Sequence, residues 1–408
     1  MTSAPSLRRR QLALGTASLA AATIAGLRPG RAADPIRIGD LMSYARLPAS
    51  ATPYRLGAEL AVEQINAAGG VLGRPIDFVT RDDGGTPGDA LRVAEEFVLR
   101  DKVALLTGAT LSNVAVALAD FARERRTPYV VGECLSDSIQ LEKGNRFTMR
   151  WNMGTFGMAA ALMPAVKQSG AKKWGVLMPN YEYGQSANRA FRRLLERDLP
   201  GAQVVVEQFP ALGRIDAGAT AQALRAGRPD AIFSGLFGPD LDRFIREARP
   251  RGLLEDAKFY SIATGSPEWL DPMRDEAPVG WVATGYPWYS TDSADNVAFV
   301  KAYQAKYNDY PRRHSTLGYS TVKAAAALVA KAGSPDADAL VAAMGGLKFN
   351  SPYGDVTIRG LDNQGDTGVW TGTIALREGR GYMANTSFLS GPPVLLPEDE
   401  VRRLRPAS

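Results

Sequence analysis

The fold is decided by three runs of residues, Ile36-Arg-Ile-Gly-Asp-Leu41, Thr52-Pro-Tyr-Arg-Leu-Gly-Ala-Glu-Leu-Ala-Val-Glu-Gln-Ile-Asn-Ala-Ala-Gly-Gly70 and Ile76-Asp-Phe-Val-Thr80. The first and third runs are short and apolar, as buried strands are. In the middle run, apolar residues recur at positions 58, 61, 62 and 65, which is the spacing of one helix face. Thr52 is a suitable N-cap and the glycine pair a suitable end for that helix. The three runs therefore predict a strand, a helix and a strand.

The same alternation continues along the chain. Amphipathic segments separate further apolar runs, and strands joined by such helices form parallel sheets with right-handed crossovers. We therefore predict an α/β fold class with two Rossmann-like lobes that have parallel-sheet cores. Two short strands at 354–358 and 368–376 are too few for a third sheet and are expected to complete the first two. The predicted strands of the two series lie at 36–41, 76–80, 103–107 and 128–131, and at 174–178, 204–208, 231–234, 259–262 and 280–284.

The first 33 residues have the order of an export signal. Arg8-Arg-Arg10 precedes an uncharged stretch over 11–27, and small residues follow at Gly30 and Ala32. Paired arginines before a weakly apolar segment are typical of a twin-arginine signal. The alternative is a membrane anchor, but this stretch barely spans about 30 Å of hydrocarbon. We predict a signal peptide over 1–33, cleaved near Ala32 or Ala33, and a mature protein in the periplasm.

Composition limits the chemistry of the chain. With one cysteine and one histidine in 408 residues, disulfide frameworks, cysteine-rich metal centres and histidine-rich sites are excluded. The formal charge of +5 comes from the signal: without its five arginines, 43 basic residues face 43 acidic ones. A neutral mature chain gives no indication of nucleic-acid binding.

Motifs of catalysis are absent from the sequence. It contains no G-x-S-x-G elbow, H-E-x-x-H, Walker loop or G-x-G-x-x-G. Asp82 and Asp83 precede two glycines, where turn and capping roles are commoner than acid–base catalysis. Cys134 lacks a nearby base, and residues 362–366 lack the glycine and glutamate of a calcium loop. We therefore expect no enzyme activity, no cofactor and no metal.

Residues 57–76 resemble the opening helix of the leucine/isoleucine/valine-binding protein family, which are type I periplasmic solute receptors of ABC importers. The resemblance implies the type I periplasmic binding protein fold, with two lobes joined by three crossover segments and a solute bound between them. It also implies a monomer whose partners are a small-molecule solute, an inner-membrane ABC permease and its ATPase. The resemblance continues through Arg81-Asp82-Asp83, 103–113, Tyr181-Glu-Tyr-Gly184, Pro229-Asp-Ala231, and Pro311 with Gly318-Tyr319.

The resemblance also implies lobe boundaries. The N-terminal lobe is expected to comprise 34–152 plus 286–353, and the C-terminal lobe 153–285 plus 354–408. The three crossings are then expected near 151–154, 284–286 and 353–355. Lobes joined in this way are expected to close by rotation around a ligand.

The loop Gly108–Asn113 is the first candidate for ligand binding. It follows a parallel strand and opens a helix, so its backbone N–H groups and the Ser112 hydroxyl favour an anion such as a carboxylate. The resemblance places Ser112 where a serine of the family holds the ligand carboxylate. It places Cys134 and Ser136 where a main-chain group and a threonine hydroxyl complete that clamp. The alternative for Ser112 is a simple helix cap.

Aromatic residues are the candidates in the second lobe. The resemblance aligns Tyr183 with a ligand-contacting tyrosine of the family and Phe237 with another aromatic residue. Both could instead pack in the core. His314, which stands among arginines, is expected either at the rim of the site or on the surface.

Two departures from the family bear on the ligand. Amino-acid receptors carry a glutamate that pairs with the ligand ammonium where this chain has Thr264, and Glu268 comes four residues later. The loop 42–52 is lengthened and carries Tyr44 and Arg46, which would suit an acid. We therefore predict an uncharged-side-chain organic acid, aromatic in kind, in preference to leucine, isoleucine or valine. Glu133 or Glu268 could supply the missing negative charge and restore amino-acid binding.

These observations predict a periplasmic receptor that binds a small carboxylated solute, an amino acid or an organic or aromatic acid, and delivers it to an ABC permease. Two alternatives are a receptor of the amide or urea type and a sensor that does not transport. A third is an exported enzyme, because twin-arginine signals often serve proteins that carry cofactors.

Overall fold

The structure is a computed structural model that describes residues 34–406. The predicted export signal therefore lies outside the described residues. The described chain forms two lobes, each a mostly parallel sheet flanked by helices, so that the predicted two-lobe α/β class is confirmed. In chain order the strands are β1 (Ile36–Met42), β2 (Ile76–Asp82), β3 (Leu105–Gly108), β4 (Tyr129–Val131), β5 (Thr148–Arg150), β6 (Lys173–Leu177), β7 (Gln203–Gln208), β8 (Ala231–Ser234), β9 (Lys258–Gly265), β10 (Val282–Gly285), β11 (Lys348–Ser351), β12 (Gly354–Arg359), β13 (Gln364–Gly365), β14 (Val369–Arg377) and β15 (Arg380–Leu389).

Helices connect the strands and cover the sheets. Thr86 precedes α2, and its hydroxyl accepts a hydrogen bond from the backbone N–H of Asp89, as an N-cap does. The α-helices are α1 (Pro48–Ala67), α2 (Pro87–Glu96), α3 (Ser112–Arg125), α4 (Thr155–Gln168), α5 (Glu182–Asp198), α6 (Ala217–Ala226), α7 (Gly238–Ala248), α8 (Leu253–Asp256), α9 (Pro267–Met273), α10 (Ala294–Tyr307), α11 (Arg313–Ala332), α12 (Ala337–Ala343) and α13 (Glu398–Leu404).

The two sheets are built in the same way. The first has the order β2-β1-β3-β4-β5-β13-β12-β11, and the second β7-β6-β8-β9-β10-β14-β15. In each sheet five neighbouring strands run parallel, β13 adds a sixth to the first sheet, and strands from the C-terminal part of the chain extend one edge. The late strands complete both lobes, because β11 to β13 join the first sheet and β14 and β15 join the second.

The third crossing differs from the sequence prediction, which put it at 353–355. Residues 352 and 353 form the turn of a hairpin, because β11 and β12 pair antiparallel from Ser351 and Gly354 outward. β12 then pairs with β13, and β13 lies parallel to β5 of the first lobe. The chain therefore crosses to the second lobe after Gly365, so that assigning residues 354–365 to the C-terminal lobe was wrong.

The loop before α1 is also shorter than predicted. α1 begins at Pro48, four residues before the expected cap at Thr52, and it contains Pro53. The helix ends as predicted, with Gly69 and Gly70 both at positive φ.

Two glycines let α1 and α11 approach each other closely. A Cβ atom on Gly57 would lie 1.9 Å from the carbonyl oxygen of Ser315, and one on Gly318 would lie 1.9 Å from that of Tyr54. Either atom would collide with the facing backbone. This contact fixes the start of α11, and with it His314, at the edge of the first lobe that faces the second lobe.

Arg150 is a fully buried side chain at the crossings, with 1% of its surface exposed. Its guanidinium donates to Oε1 of Gln364 over 2.7 Å, to the carbonyl of Ser136 over 2.6 Å and to Oδ1 of Asp137 over 3.3 Å. The other oxygen of Asp137 accepts a hydrogen bond from the hydroxyl of Thr155 at the start of α4. Arg150 thus connects the first and third crossings, through hydrogen bonds, to residues 136–137 of the first lobe.

Each lobe has its own apolar core. Trp151 belongs to the core of the first lobe, whereas Trp174 and Phe259 lie in the two cores on either side of the second sheet. None of the helices within residues 34–406 is both long enough and apolar enough to span a bilayer.

Candidate functional site

A cavity of about 570 Å³ lies between the two lobes. That volume includes space that is open to solvent. The first lobe contributes Leu47, Ser50, Thr110, Ser112, Glu133, Leu135, Arg313 and His314 to its lining, and the second contributes Tyr181, Tyr183, Phe237, Ile262, Ala263, Ser266, Trp269 and Thr284.

The topology of the sheets explains the position of the cavity. Ser112 follows β3, Glu133 follows β4, Tyr183 follows β6 and Phe237 follows β8. Because the carboxyl ends of parallel strands lie at one edge of a sheet, these loops meet in the crevice between the lobes. The N-termini of α3, α5 and α7 lie at the same edge and leave backbone N–H groups there.

One histidine joins two carboxylates at the cavity. Nε2 of His314 lies 2.8 Å from Oε1 of Glu133, and its Nδ1 contacts Oε1 of Glu268. Burial alone lowers the pKa of His314, but the two carboxylates outweigh burial and raise this pKa to about 9. His314 is therefore an imidazolium at neutral pH.

This cluster connects the lobes. Glu268 belongs to α9 of the second lobe, and its carboxylate accepts hydrogen bonds from the backbone N–H groups of Arg313 and His314, at 3.2 and 3.3 Å. Burial alone would raise the pKa of Glu268, but the charge of His314 lowers it. One turn later in α9, Asp271 accepts a hydrogen bond of 2.8 Å from the Tyr310 hydroxyl of the first lobe. The contact of α9 with the start of α11 is called the α9–α11 contact below.

Several polar atoms in the lining have no partner among residues 34–406. They include the Tyr183 hydroxyl, the Thr284 hydroxyl and Oε2 of Glu133, all fully buried. The half-buried guanidinium of Arg313 also lines the cavity and forms no ion pair within 4.0 Å among the described residues. Because buried polar groups of folded proteins are nearly always hydrogen-bonded, this concentration of unpaired groups marks a place for a polar ligand.

Four of the residues predicted from the sequence line the cavity: Ser112, Tyr183, Phe237 and His314. Ser112 begins α3, and its hydroxyl oxygen accepts a hydrogen bond of 3.3 Å from the backbone N–H of Ser136. Tyr183 packs edge-on against Phe237, with their ring centroids 6.1 Å apart. His314 is buried within the cluster just described rather than at a rim or on the surface.

Three predicted residues of the first lobe do not line the cavity: Asn113, Cys134 and Ser136. The hydroxyl of Ser136 donates to Oε1 of Glu182 over 2.7 Å, so that it contacts the second lobe directly. The Cys134 backbone N–H donates to the carbonyl of Ala109, and burial raises the pKa of the Cys134 thiol. Asn113 is half-buried one residue past Ser112 in α3.

Three further predicted residues also lie outside the lining. The Thr264 hydroxyl is fully buried and forms a hydrogen bond of 2.7 Å with Ser261. The Tyr44 hydroxyl forms one of 2.7 Å with Thr80. Arg46 is exposed, and its stem lies against Gly85. Each side chain already has a partner or a solvent-facing position, which explains why it does not contribute to the cavity.

Sequence reasoning missed Arg313, Thr284 and Trp269. Arg313 stands beside His314 and could have been found as the first residue of a helix that begins near the cleft. Thr284 ends a predicted strand at the expected second crossing. Trp269 follows Glu268 on a short helix for which the sequence has no distinctive pattern, so that only the folded chain reveals it.

No three of the His, Cys, Asp and Glu side chains within residues 34–406 come together as metal ligands would. The paired carboxylates Asp82 and Asp83 serve the chain itself, because they accept hydrogen bonds from the backbone N–H groups of Gly84 and Gly85.

Comparisons with known proteins agree with this architecture. The leucine-, isoleucine-, valine-, threonine- and alanine-binding protein of Pseudomonas aeruginosa is 26% identical over 317 residues, which cover 76% of this chain and 81% of that protein. A periplasmic binding protein from Burkholderia mallei has a TM-score of 0.80 at 21% identity and covers 91% of this chain and 98% of its own. A solute-binding protein of an ABC transporter from Rhodopseudomonas palustris, solved with 4-hydroxybenzoate, has a TM-score of 0.76 at 23% identity, covering 87% and 97%.

The family model described as "Periplasmic binding protein" matches residues 38–380, which include both lobes and every cavity residue. With two lobes around one cavity and Leu/Ile/Val-binding proteins among its relatives, the chain belongs to the periplasmic binding protein family.

Proposed function

We propose that this protein is a periplasmic receptor, not an enzyme, that binds a small carboxylated solute between its lobes and delivers it to an ABC permease and its ATPase. The observation that carries the proposal is Arg313, a half-buried residue of the cavity lining that forms no ion pair within 4.0 Å among the described residues. Guanidinium groups bind carboxylates with two parallel hydrogen bonds. The unpaired hydroxyls of Tyr183 and Thr284 could donate to the same anion.

The second lobe favours an aromatic acid over a branched-chain amino acid. Phe237 lies between Tyr183 and Trp269, with ring centroids 6.1 and 5.9 Å away. Such rings prefer the edges and faces of another ring, which adds about 0.5–1.5 kcal/mol per pair beyond the area buried. Thr264 cannot replace the glutamate of the amino-acid receptors, because it is neutral and pairs with Ser261. The R. palustris protein with 4-hydroxybenzoate supports the same ligand class.

An amino acid is the second candidate. Oε2 of Glu133 is an unpaired carboxylate oxygen at the cavity and could accept a hydrogen bond from an ammonium group. The P. aeruginosa relative is named for binding five amino acids.

Titration calorimetry with protein unfolded and refolded to remove retained solute separates the two candidates. We expect benzoate or 3-phenylpropanoate to bind with a dissociation constant near micromolar, equivalent to about 8 kcal/mol. Leucine should bind at least tenfold more weakly. Tight leucine binding with no response to either acid would contradict the aromatic preference, and no response to any acid would contradict carboxylate binding.

Export is tested separately. We propose that the twin-arginine signal is removed near Ala32 or Ala33, which places the receptor in the periplasm, as the family implies. N-terminal sequencing of the periplasmic fraction should then start at Ala33 or Asp34. Replacing Arg8, Arg9 and Arg10 with lysine should retain the precursor inside the cell, and normal export of that variant would exclude this route.

A further inference from the structure

The two oxygens of the Glu133 carboxylate have different surroundings. Oε1 lies 2.8 Å from Nε2 of His314. Oε2 is fully buried and has no hydrogen-bond partner among residues 34–406. The side chain is only 9% exposed, and it belongs to the lining of the cavity. A buried carboxylate oxygen without a donor is costly, so that Oε2 needs a donor that the cavity supplies.

The charges around Glu133 indicate which kind of donor is missing. His314 already supplies a positive charge to Glu133, and Arg313 adds another to the same wall. Glu268, on the other side of His314, also accepts hydrogen bonds from the backbone N–H groups at the start of α11. Tyr54 and Tyr181 lie farther off and are neutral, because burial raises their pKa values, and burial also raises the pKa of Asp83. Oε2 therefore lacks a hydrogen bond rather than a counter-charge.

We propose that Glu133 recognises a hydroxyl group on the ligand, so that the solute is a hydroxylated carboxylic acid. This inference rests on the proposed function, in which Arg313 binds the carboxylate. The ligand hydroxyl donates its hydrogen bond to Oε2 of Glu133, while His314 holds Oε1 and fixes the orientation of the carboxylate. A hydroxyl supplies the donor that Oε2 lacks, and His314 already supplies Glu133 with a positive charge.

A series of ligands tests the proposal with the unaltered protein. Calorimetry compares benzoate with 2-, 3- and 4-hydroxybenzoate, and then with the methoxybenzoate that matches the best of the three. The best hydroxybenzoate should bind at least tenfold more tightly than benzoate, because a site built around a hydrogen bond rejects a ligand without it. The methoxy compound has similar size but no donor, and it should lose this gain. Equal binding of all the acids would overturn the inference.

Variants locate the effect at Glu133. Glu133→Ala should bring the ratio between hydroxybenzoate and benzoate close to one. Glu182→Ala is the matched control, because Glu182 is a half-buried acid that binds Ser136 and Ser138 outside the cavity lining. It should keep the ratio. A ratio unchanged in Glu133→Ala would overturn the assignment, and the ligand series decides the matter if this variant does not fold.

An ammonium is the competing donor, and one further pair of ligands distinguishes it. L-Phenylalanine should bind no more tightly than 3-phenylpropanoate if the donor is a hydroxyl. If phenylalanine alone binds more tightly, and Glu133→Ala removes this gain in affinity, the donor to Glu133 is an ammonium and the proposal of a hydroxyl is wrong. If none of these acids binds, the proposed function itself fails, whereas binding without any dependence on a donor removes only the role of Glu133.

Discussion

The two walls of the cavity differ in chemistry, although the lobes that supply them share one architecture. The first-lobe wall contains all three charged side chains of the lining, Glu133, Arg313 and His314. The second-lobe wall contains no charged side chain. It instead contains four aromatic ones: Tyr181, Tyr183, Phe237 and Trp269.

This difference shows that topology places a site without deciding what it binds. Both walls consist largely of residues that follow the carboxyl ends of parallel strands. The residue types at those positions then divide recognition between the lobes. On this view the first lobe binds the polar groups of the solute and the second lobe its ring. Four predictions test that division, and they are ordered by the size of the expected effect.

The largest effect should come from His314, which links the charged wall to the second lobe through Glu268. Its pKa in the folded protein, about 9, exceeds the ordinary value of 6.5. The contribution of the protonated His314 to the free energy of unfolding is therefore complete below about pH 6.5 and is lost as the pH rises through 9. A shift of this size corresponds to roughly 3 kcal/mol. Urea unfolding of the unaltered protein from pH 6.5 to 9.5 should show this decline, and His314→Gln should largely abolish it.

Asp40 is a second buried group whose titration must be distinguished from that of His314. Burial raises the pKa of Asp40 to about 6, despite hydrogen bonds from Thr107 and Thr80, so that Asp40 completes its titration in the lowest part of the tested range. A decline of equal size in His314→Gln would show that another group is responsible and that the α9–α11 contact is not governed by His314.

Arg313→Ala should lower the affinity for a carboxylate by about 2 kcal/mol, or roughly 30-fold, because charged hydrogen bonds contribute about 1.5–3 kcal/mol. Arg313→Lys keeps the positive charge but not the planar guanidinium, so its affinity should lie between those of Arg313→Ala and the unaltered protein. Arg312→Ala is the control, since Arg312 lies outside the lining and pairs with Asp309 and Asp271. Equal losses for Arg312→Ala and Arg313→Ala, measured by calorimetry, would contradict a direct role for Arg313.

Phe237→Ala should weaken binding of an aromatic acid by about 1 kcal/mol, or roughly fivefold, because the ring loses one aromatic neighbour. An aliphatic acid of similar length should lose less. Phe388→Ala removes a partly exposed ring on β15 outside the lining, and it should leave both affinities unchanged. If Phe237→Ala weakens the binding of aromatic and aliphatic acids equally, the second-lobe wall does not distinguish rings from chains.

The smallest effects should come from Tyr44→Phe and Arg46→Ala, with changes in affinity of about twofold or less. Both residues were expected in the site from the sequence, but Tyr44 bonds Thr80 and Arg46 is exposed beside Gly85. Substitutions at positions without a special role usually change free energies by less than about 0.5 kcal/mol. A tenfold loss in either variant, measured with the same acid, would restore the sequence prediction.

The fold could be predicted largely from local patterns. Runs such as 231–234 coincide with β8, and the glycine pair at 69–70 ends α1 as expected. The third crossing could not be predicted, because the glycine at 354 suits a hairpin turn and a change of lobe equally well. Only the pairing of β12 with β13 decides between them.

The site was less predictable than the fold. Ser112 could be found because it follows a parallel strand at the edge where ligands bind, whereas the resemblance to the family supplied Tyr183 and Phe237. Ser136 follows one too, but its hydroxyl points to Glu182 in the other lobe, and sequence spacing contains no information about that rotamer. Arg313 reaches the cavity through the packing of α11 against α1, which brings together residues more than 250 positions apart.

Arg150 limits the ways in which the lobes can move. One guanidinium holds Gln364, Ser136 and Asp137, and Asp137 in turn holds the first residue of α4. Two of the three crossings therefore start from the same hydrogen-bonded network and cannot slide past each other independently. We therefore expect sliding and twisting of the lobes to be stiff and rotation about a single axis to be the soft motion. Under the proposed function, we expect such a hinge to bring the two dissimilar walls back into the same alignment after each release of solute.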